Sequence, residues 1–293
     1  MFKLNKLRNE LDFNKDIAEI INVLKGVASS EFYRLQKEKK SLDEFLSYLQ
    51  GFFGMVDTTG LQHTSLDESS LPQALLLITS DIGFLGKLNV SIVNAAREQA
   101  SADDEFIVLG KQGVRYIEET GRKYTSFAGV TDEVEYEEAE SLGSYILKGL
   151  MDKKFHRTTI VYPHFISFAV WKVQTYQLFP CRFLFKESAQ SGQEGKKHNI
   201  DQGGIIIEPA LTNVVDHLIR IWINYVIYGI FWESKLAEWA TRVMHLEGSS
   251  DEIKQMNKKL RSQYFRILHE ISDKNIREIF VARQAMEKVT QFS

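Results

Sequence analysis

Apolar residues return every seventh position along the first part of the chain. Leu7, Ile21, Ala28, Leu35, Leu42 and Leu49 form one row, interrupted only by Asn14. Leu4, Leu11, Ala18, Phe32 and Leu46 supply a second row beside it. A seven-residue repeat of this kind predicts a long helix with a coiled-coil seam. Near the other end Ile253, Met256, Leu260, Tyr264, Ile267, Ile271, Ile276 and Ile279 recur at helical spacing. Between these rows lie charges such as Lys37, Glu38, Lys39, Lys40, Lys258, Lys259 and Arg261, which read as solvated helix surface. Residues 222–232 are apolar on most sides, which predicts a buried stretch of the C-terminal helix.

The period changes in the middle. Asp57–Ser70 is polar and reads as a loop. Ala74–Thr79 and Phe106–Gly110 are short continuous apolar runs, the pattern of strands covered on both faces. Helices are expected at Asn89–Glu98, Lys111–Glu119 and Glu135–Gly149. A further strand is expected at Arg157–Tyr162, and late antiparallel strands at Trp171–Pro180 and Phe183–Phe185. Alternating strand and helix predicts a small Rossmann-like α/β domain.

Proline usage strengthens the helical reading. Of the 4 prolines, none precedes Pro72 and none follows Pro209, so nothing of that kind breaks a helix at either end. A helix from about 210 to 288 would run ~120 Å, too long for a compact domain. The expected architecture is therefore α/β plus a long antiparallel coiled coil made by the two chain ends, protruding from the α/β body. Its parts are an N-terminal helix over 1–56, an α/β domain over 72–187, a flexible loop over 188–206 and a C-terminal helix over 207–293. Gly248-Ser249-Ser250 is the expected kink or break.

Charge and chemistry narrow the function mainly by exclusion. The 36 Lys+Arg against 39 Asp+Glu leave a net charge of -3, without the basic excess of a nucleic-acid binder. One cysteine, Cys181, excludes a disulfide framework and a multi-cysteine metal site. No secretory core appears at the N-terminus, and Ile221–Trp232 is short for a bilayer span, so no direct transmembrane segment is expected. Thr79-Ser80-Asp81-Ile82-Gly83-Phe84-Leu85-Gly86-Lys87 follows a strand, but Asp81 stands where a phosphate loop needs its first glycine and Leu88 follows the lysine. The histidines are scattered, and His269-Glu270 lacks the second histidine of a zinc-protease helix. No catalytic, cofactor-binding or metal-ligating set emerges. Two other classes remain in view, a nucleotide-using Rossmann enzyme and an unrelated coiled-coil scaffold.

Several blocks in order resemble one family. Leu7-Arg8 with Leu11, then Ile20 and Leu24-Lys25-Gly26-Val27-Ala28-Ser29-Ser30, are similar to the N-terminal block of the gamma subunits of F-type ATP synthases. Ile78–Asn89 resembles the family's Thr-Ser-Asp-Arg-Gly-Leu-Cys-Gly-Gly-Phe-Asn, through Thr79, Ser80, Asp81, Gly83, Gly86 and Asn89. Gly110-Lys111-Gln112-Gly113 fits the second strand turn. Glu208-Pro209, Glu233, Glu238 and Arg242 match the family's Glu-Pro and the glutamates and arginine of its long helix. Ile82, Lys87 and Gly26 depart from the pattern, and Met244–Ile253 keeps only a trace of it, which marks a divergent branch.

The resemblance implies the central rotor shaft of such a complex, coupling ATP synthesis or hydrolysis in the alpha/beta hexamer to rotation and ion translocation, with catalysis on the partner subunits. It leaves open a specialised hydrolysis-driven rotor. The implied partners are the alpha and beta subunits, an epsilon-like subunit and the membrane c-ring, with no nucleic acid. The implied location is peripheral, on the cytoplasmic face of the inner (cell) membrane. Arg8, Lys25, Arg34, Arg266, Arg277 and Arg283 are the candidate contacts to the catalytic collar. Glu31, Lys39, Asp43, Glu44 and the helix over 136–140 are candidates for the foot.

Overall fold

The computed structural model describes residues 2–291 apart from 39, 54, 57, 59–60, 62, 68–70, 84, 168–169, 186–207 and 209. The expected flexible loop, 188–206, lies outside the described residues. The chain opens with α1 (Phe2–Glu38) and α2 (Lys40–Phe53), so the expected N-terminal helix is two helices. It continues through β1 (Gln73–Ile78), α3 (Leu88–Gln99), β2 (Glu105–Leu109), α4 (Lys111–Glu118) and β3 (Tyr124–Phe127). Then come α5 (Tyr136–Met151), β4 (Arg157–Ser167), β5 (Val170–Phe179) and α6 (Leu211–Gln291).

The five strands form one sheet in the order β3-β2-β1-β4-β5. The first four are parallel, and β5 returns antiparallel on β4. Leu76 in β1 is flanked by Ile107 of β2 and Ile160 of β4, all fully buried, which is why β1 reads as an unbroken apolar run. Pleating sends Leu75 and Leu77 to one face, where they join Phe106, Val108, Val161 and the α3 residues Leu88, Ile92, Val93 and Ala96. After β3 the chain reverses direction across the sheet. α5 lies on the opposite face, where its Tyr145 hydroxyl donates to Thr125 Oγ1 at 3.2 Å. There α5 meets α6 closely: a Cβ on Gly143 would lie 2.2 Å from the Asn224 amide oxygen.

The chain divides into two compact units, Met1–Val27 with Val243–Ser293, and Ala28–Arg242. In the larger unit α6 is buried on nearly every side from Ile230 to Arg242, with Glu233 alone half-buried. An 18-residue window of α6 reaches a mean hydropathy of 1.3, enough by length and composition to cross a membrane, and half of it is buried within the fold. That is the behaviour of a core helix. In the smaller unit Leu7 is buried, and Leu4, Leu11, Asn14, Ala18, Ile21 and Lys25 of α1 are half-buried. So are Ile253, Asn257, Leu260, Tyr264, Ile267 and Ile271 of α6. The seven-residue row read from the sequence thus marks the less exposed positions of α1 throughout. Met256, Ile276 and Ile279, expected on the same α6 face, are exposed at 52%, 62% and 69%.

Two further expectations are corrected. Gly248-Ser249-Ser250 does not break the helix: α6 is continuous across them for 81 residues. A mid-helix glycine costs ~1 kcal/mol relative to alanine, which a long cooperative helix absorbs, and Ser250 is buried. Phe183–Phe185 is a helical turn rather than a strand. Its amides at Leu184 and Phe185 donate back to the carbonyls of Cys181 and Arg182. Finally, β3 was not anticipated.

Candidate functional site

A densely hydrogen-bonded loop lies where β1 ends. Thr79 Oγ1 donates to the Leu109 carbonyl at 2.5 Å and accepts the Gly113 N–H at 3.0 Å, tying β1 to β2 and to α4. Glycine at 113 is required by that approach, since a Cβ would fall 2.3 Å from Thr79 Oγ1. Gly110 has φ 92 and sits against the Thr79 carbonyl, so it too admits no side chain. Ser80 N–H donates to Asn89 Oδ1 at 3.2 Å, and Asn89 Nδ2 donates to Ser80 Oγ at 3.0 Å. Ser80 Oγ also donates to the Ile82 carbonyl at 2.8 Å. Gly83 lies in the turn that follows, and Gly86 closes it in the left-handed region with φ 54.

Asp81 decides the electrostatics. Its Oδ1 accepts the Lys111 N–H at 2.8 Å and the Gly129 N–H at 3.3 Å. Lys111 is the first residue of α4, so a carboxylate of the chain itself occupies the positive end of that helix. A helix N-terminus of this kind is where anions such as phosphates can bind in α/β proteins. Beside it the carboxyl ends of β1 and β4 are filled by Ser234, Lys235 and Glu238 of α6, leaving a cavity of about 10 Å³. That is no larger than one water requires.

Lys235 and Glu238 belong to a buried charge ladder. Lys235 Nζ lies 3.1 Å from Asp132 Oδ1 and 3.3 Å from Glu238 Oε2. Glu238 Oε1 in turn accepts Arg242 Nη2 at 2.6 Å, and the side chains of Lys235, Glu238 and Arg242 are only 6%, 8% and 11% exposed. Arg242 also stacks over Trp239, 4.1 Å from the ring centroid. One turn earlier Glu233 Oε2 meets His164 Nδ1 at 2.5 Å. Burial and then Glu233 hold the Tyr162 hydroxyl well above its ordinary range, so it stays a neutral donor.

The family-motif residues therefore gather in two places. Thr79, Ser80, Asp81, Gly83, Gly86 and Asn89 build the loop, while Glu238 and Arg242 build the ladder and Glu233 joins His164. Glu208 stands apart, exposed, ahead of α6. The candidate collar cations are not brought together. Arg8 is exposed on α1. Lys25 pairs with Glu247. Arg34 lies in the other unit, where its Nε donates to Glu31 at 2.9 Å and its Nη2 to the Asp132 carbonyl at 3.0 Å. Hydrogen bonding to Glu31 raises the pKa of the Arg34 guanidinium further. Arg266 pairs with Glu270 at 3.1 Å, Arg277 donates to the Asp273 carbonyl at 3.2 Å, and Arg283 is exposed. Sequence reasoning missed Asp132 and Lys235. The spacing of Lys235, Glu238 and Arg242 at three and then four residues was the available signal for the α6 half of the ladder.

The fold and this loop define an α/β protein assembled around a long C-terminal helix, with its strand ends locked by its own side chains. The family model described as ATP synthase matches residues 3–286. The ATP synthase gamma chain of Mycoplasmopsis synoviae is 21% identical over 97% of this chain and 99% of its own. That of Cytophaga hutchinsonii is 24% identical over 98% and 99%. Among solved structures, a chain of the Euglena gracilis mitochondrial ATP synthase (OSCP/F1/c-ring) matches with a TM-score of 0.68 at 16% identity. That match covers 97% of this chain and 94% of the other. A chain of the Tetrahymena thermophila ATP synthase central stalk and c-ring matches with a TM-score of 0.59 at 18% identity, over 79% and 99%. The chain belongs to the ATP synthase gamma family.

Proposed function

We propose that this gamma chain is the turning shaft of its complex, coupling nucleotide turnover on surrounding alpha and beta subunits to rotation over a membrane c-ring. The observation that carries this is the family match over residues 3–286, which takes in both helical ends as well as the sheet. In this reading α1 and the end of α6 wind antiparallel about each other as a coiled coil. The half-buried rows of the smaller unit and the Lys25–Glu247 pair support that pairing. The Rossmann-like unit serves as the foot, where an epsilon-like subunit joins it at the cytoplasmic membrane face.

The shaft itself does no chemistry. An asymmetric helix pair presents different side chains to chemically equivalent neighbours. Each angle then favours a different open or closed state, because only differential contact energy shifts such an equilibrium. Asp81 supports a non-catalytic role, since its carboxylate already holds the α4 N-terminus against any other anion.

Truncation after Leu260 tests the proposal. The account expects loss of torque or of assembly with alpha and beta, while the thermal transition of the isolated chain's sheet unit persists. Fully coupled ATPase activity in a complex carrying the truncated chain would sink it.

A further inference from the structure

We infer that Asn14 and Asn257 form a polar layer between α1 and the end of α6 in the smaller unit, and that this layer selects which face of α1 turns inward. The inference rests on the coiled-coil reading of the two chain ends. The Lys25–Glu247 ion pair fixes their alignment. Counting away from it along antiparallel helices sets Ala18 opposite Ile253, Asn14 opposite Asn257 and Leu11 opposite Leu260, all of them half-buried. Asn257 Oδ1 is shut off from solvent with no donor bound to it, and Asn14 is the residue across the seam that carries an amide.

The reason for a sealed amide at this seam lies in the rest of α1, which carries two apolar rows at coiled-coil spacing. The inward row is Leu7, Leu11, Asn14, Ala18 and Ile21, with Lys25 next. The second row, Phe13, Ile17, Ile20, Leu24 and Val27, lies one position back and is the more apolar. Yet Phe13, Ile20, Leu24 and Val27 are each at least half exposed. Turning α1 by about 100° about its axis would exchange the two rows, and burial of apolar area alone favours that exchange. The exchange would set the Asn257 amide against Phe13 and take Lys25 away from Glu247. A sealed amide is tolerated opposite another amide and penalised opposite a ring. A polar position in such a seam thereby holds a helix pair to one arrangement. The consequence is that the stronger apolar row stays outward, where the subunits around a shaft meet it.

Cysteine labelling of the full chain tests this. The native Cys181 is fully buried, with its thiol pushed up to about 12, so maleimide reads an added cysteine alone. I20C, on the outward row, should react at least ~10-fold faster than I21C on the inward row. N257L makes the α6 row apolar and leaves Asn14 alone at the seam, so the ratio of the two rates should fall ~10-fold or invert. N14L/N257L matches the layer again and should restore the native ratio. A ratio unmoved by N257L, or one that stays low in the double variant, overturns the inference while leaving the helix pairing intact. Equal rates at positions 20 and 21 with both asparagines in place would contradict the pairing itself, and the inference with it.

Discussion

Glu238 is the residue on which most buried charge depends. It accepts from Arg242 and faces Lys235, and all three side chains are nearly sealed from water. Removing one partner of a buried ion pair leaves the others uncompensated, at a cost of about 3–5 kcal/mol. E238A should therefore lower the unfolding free energy of the isolated chain by that order in urea titrations. A loss under about 1 kcal/mol would mean that the ladder is solvated. Asp67 makes a milder prediction. The His63 N–H, and then the Arg182 guanidinium at 2.6 Å, hold its carboxyl below the usual carboxylate range. Such a depressed group stabilises the fold above its unfolded pKa and ceases to do so as pH falls through the folded value. The urea midpoint should thus fall on the acid side for the native chain, and D67N should flatten that slope.

Among the elements, α6 gives the sharpest test. Gly248 lies inside a continuous helix, and a Cβ there would meet nothing within 4 Å. G248A should stabilise the chain by about 0.4–1 kcal/mol, because alanine loses less backbone entropy in a helix. Destabilisation by the same substitution would show that the helix is interrupted there. The other elements show what the sequence could and could not disclose. Leu7, Ala28, Leu35, Leu42 and Leu49 announced their face because one apolar residue per seven leaves little choice of which side to bury. Ala74–Ile78 announced a doubly covered strand in the same way. Tyr124–Phe127 did not, because an edge strand with Thr125 and Ser126 at its centre buries too little to leave an apolar signature. Phe183–Phe185 misled because three residues cannot establish a period of either kind. Ile276 and Ile279 keep helical spacing yet stay exposed, so periodicity alone does not say what covers a face.

For the whole molecule, the loop after β1 was legible as chemistry that fails. Asp81 in the glycine position argued against phosphate, and the structure gives the reason: its carboxylate already caps α4. The buried ladder was not legible, because Asp132 and Lys235 are far apart in sequence and only the fold brings them together. Thr79, Ser80 and Asn89 stood out only as positions of the family motif, and their hydrogen bonds close on one another and on the β1, β2 and α4 backbone. What they determine is the geometry of the strand ends. The claim that this body turns as part of a shaft is best tested by watching it. A gold bead attached through E119C, an exposed site at the end of α4, in a complex held by its alpha and beta subunits, should rotate in one direction when ATP is added. A bead that stays still while the same complex continues to hydrolyse ATP would contradict the account.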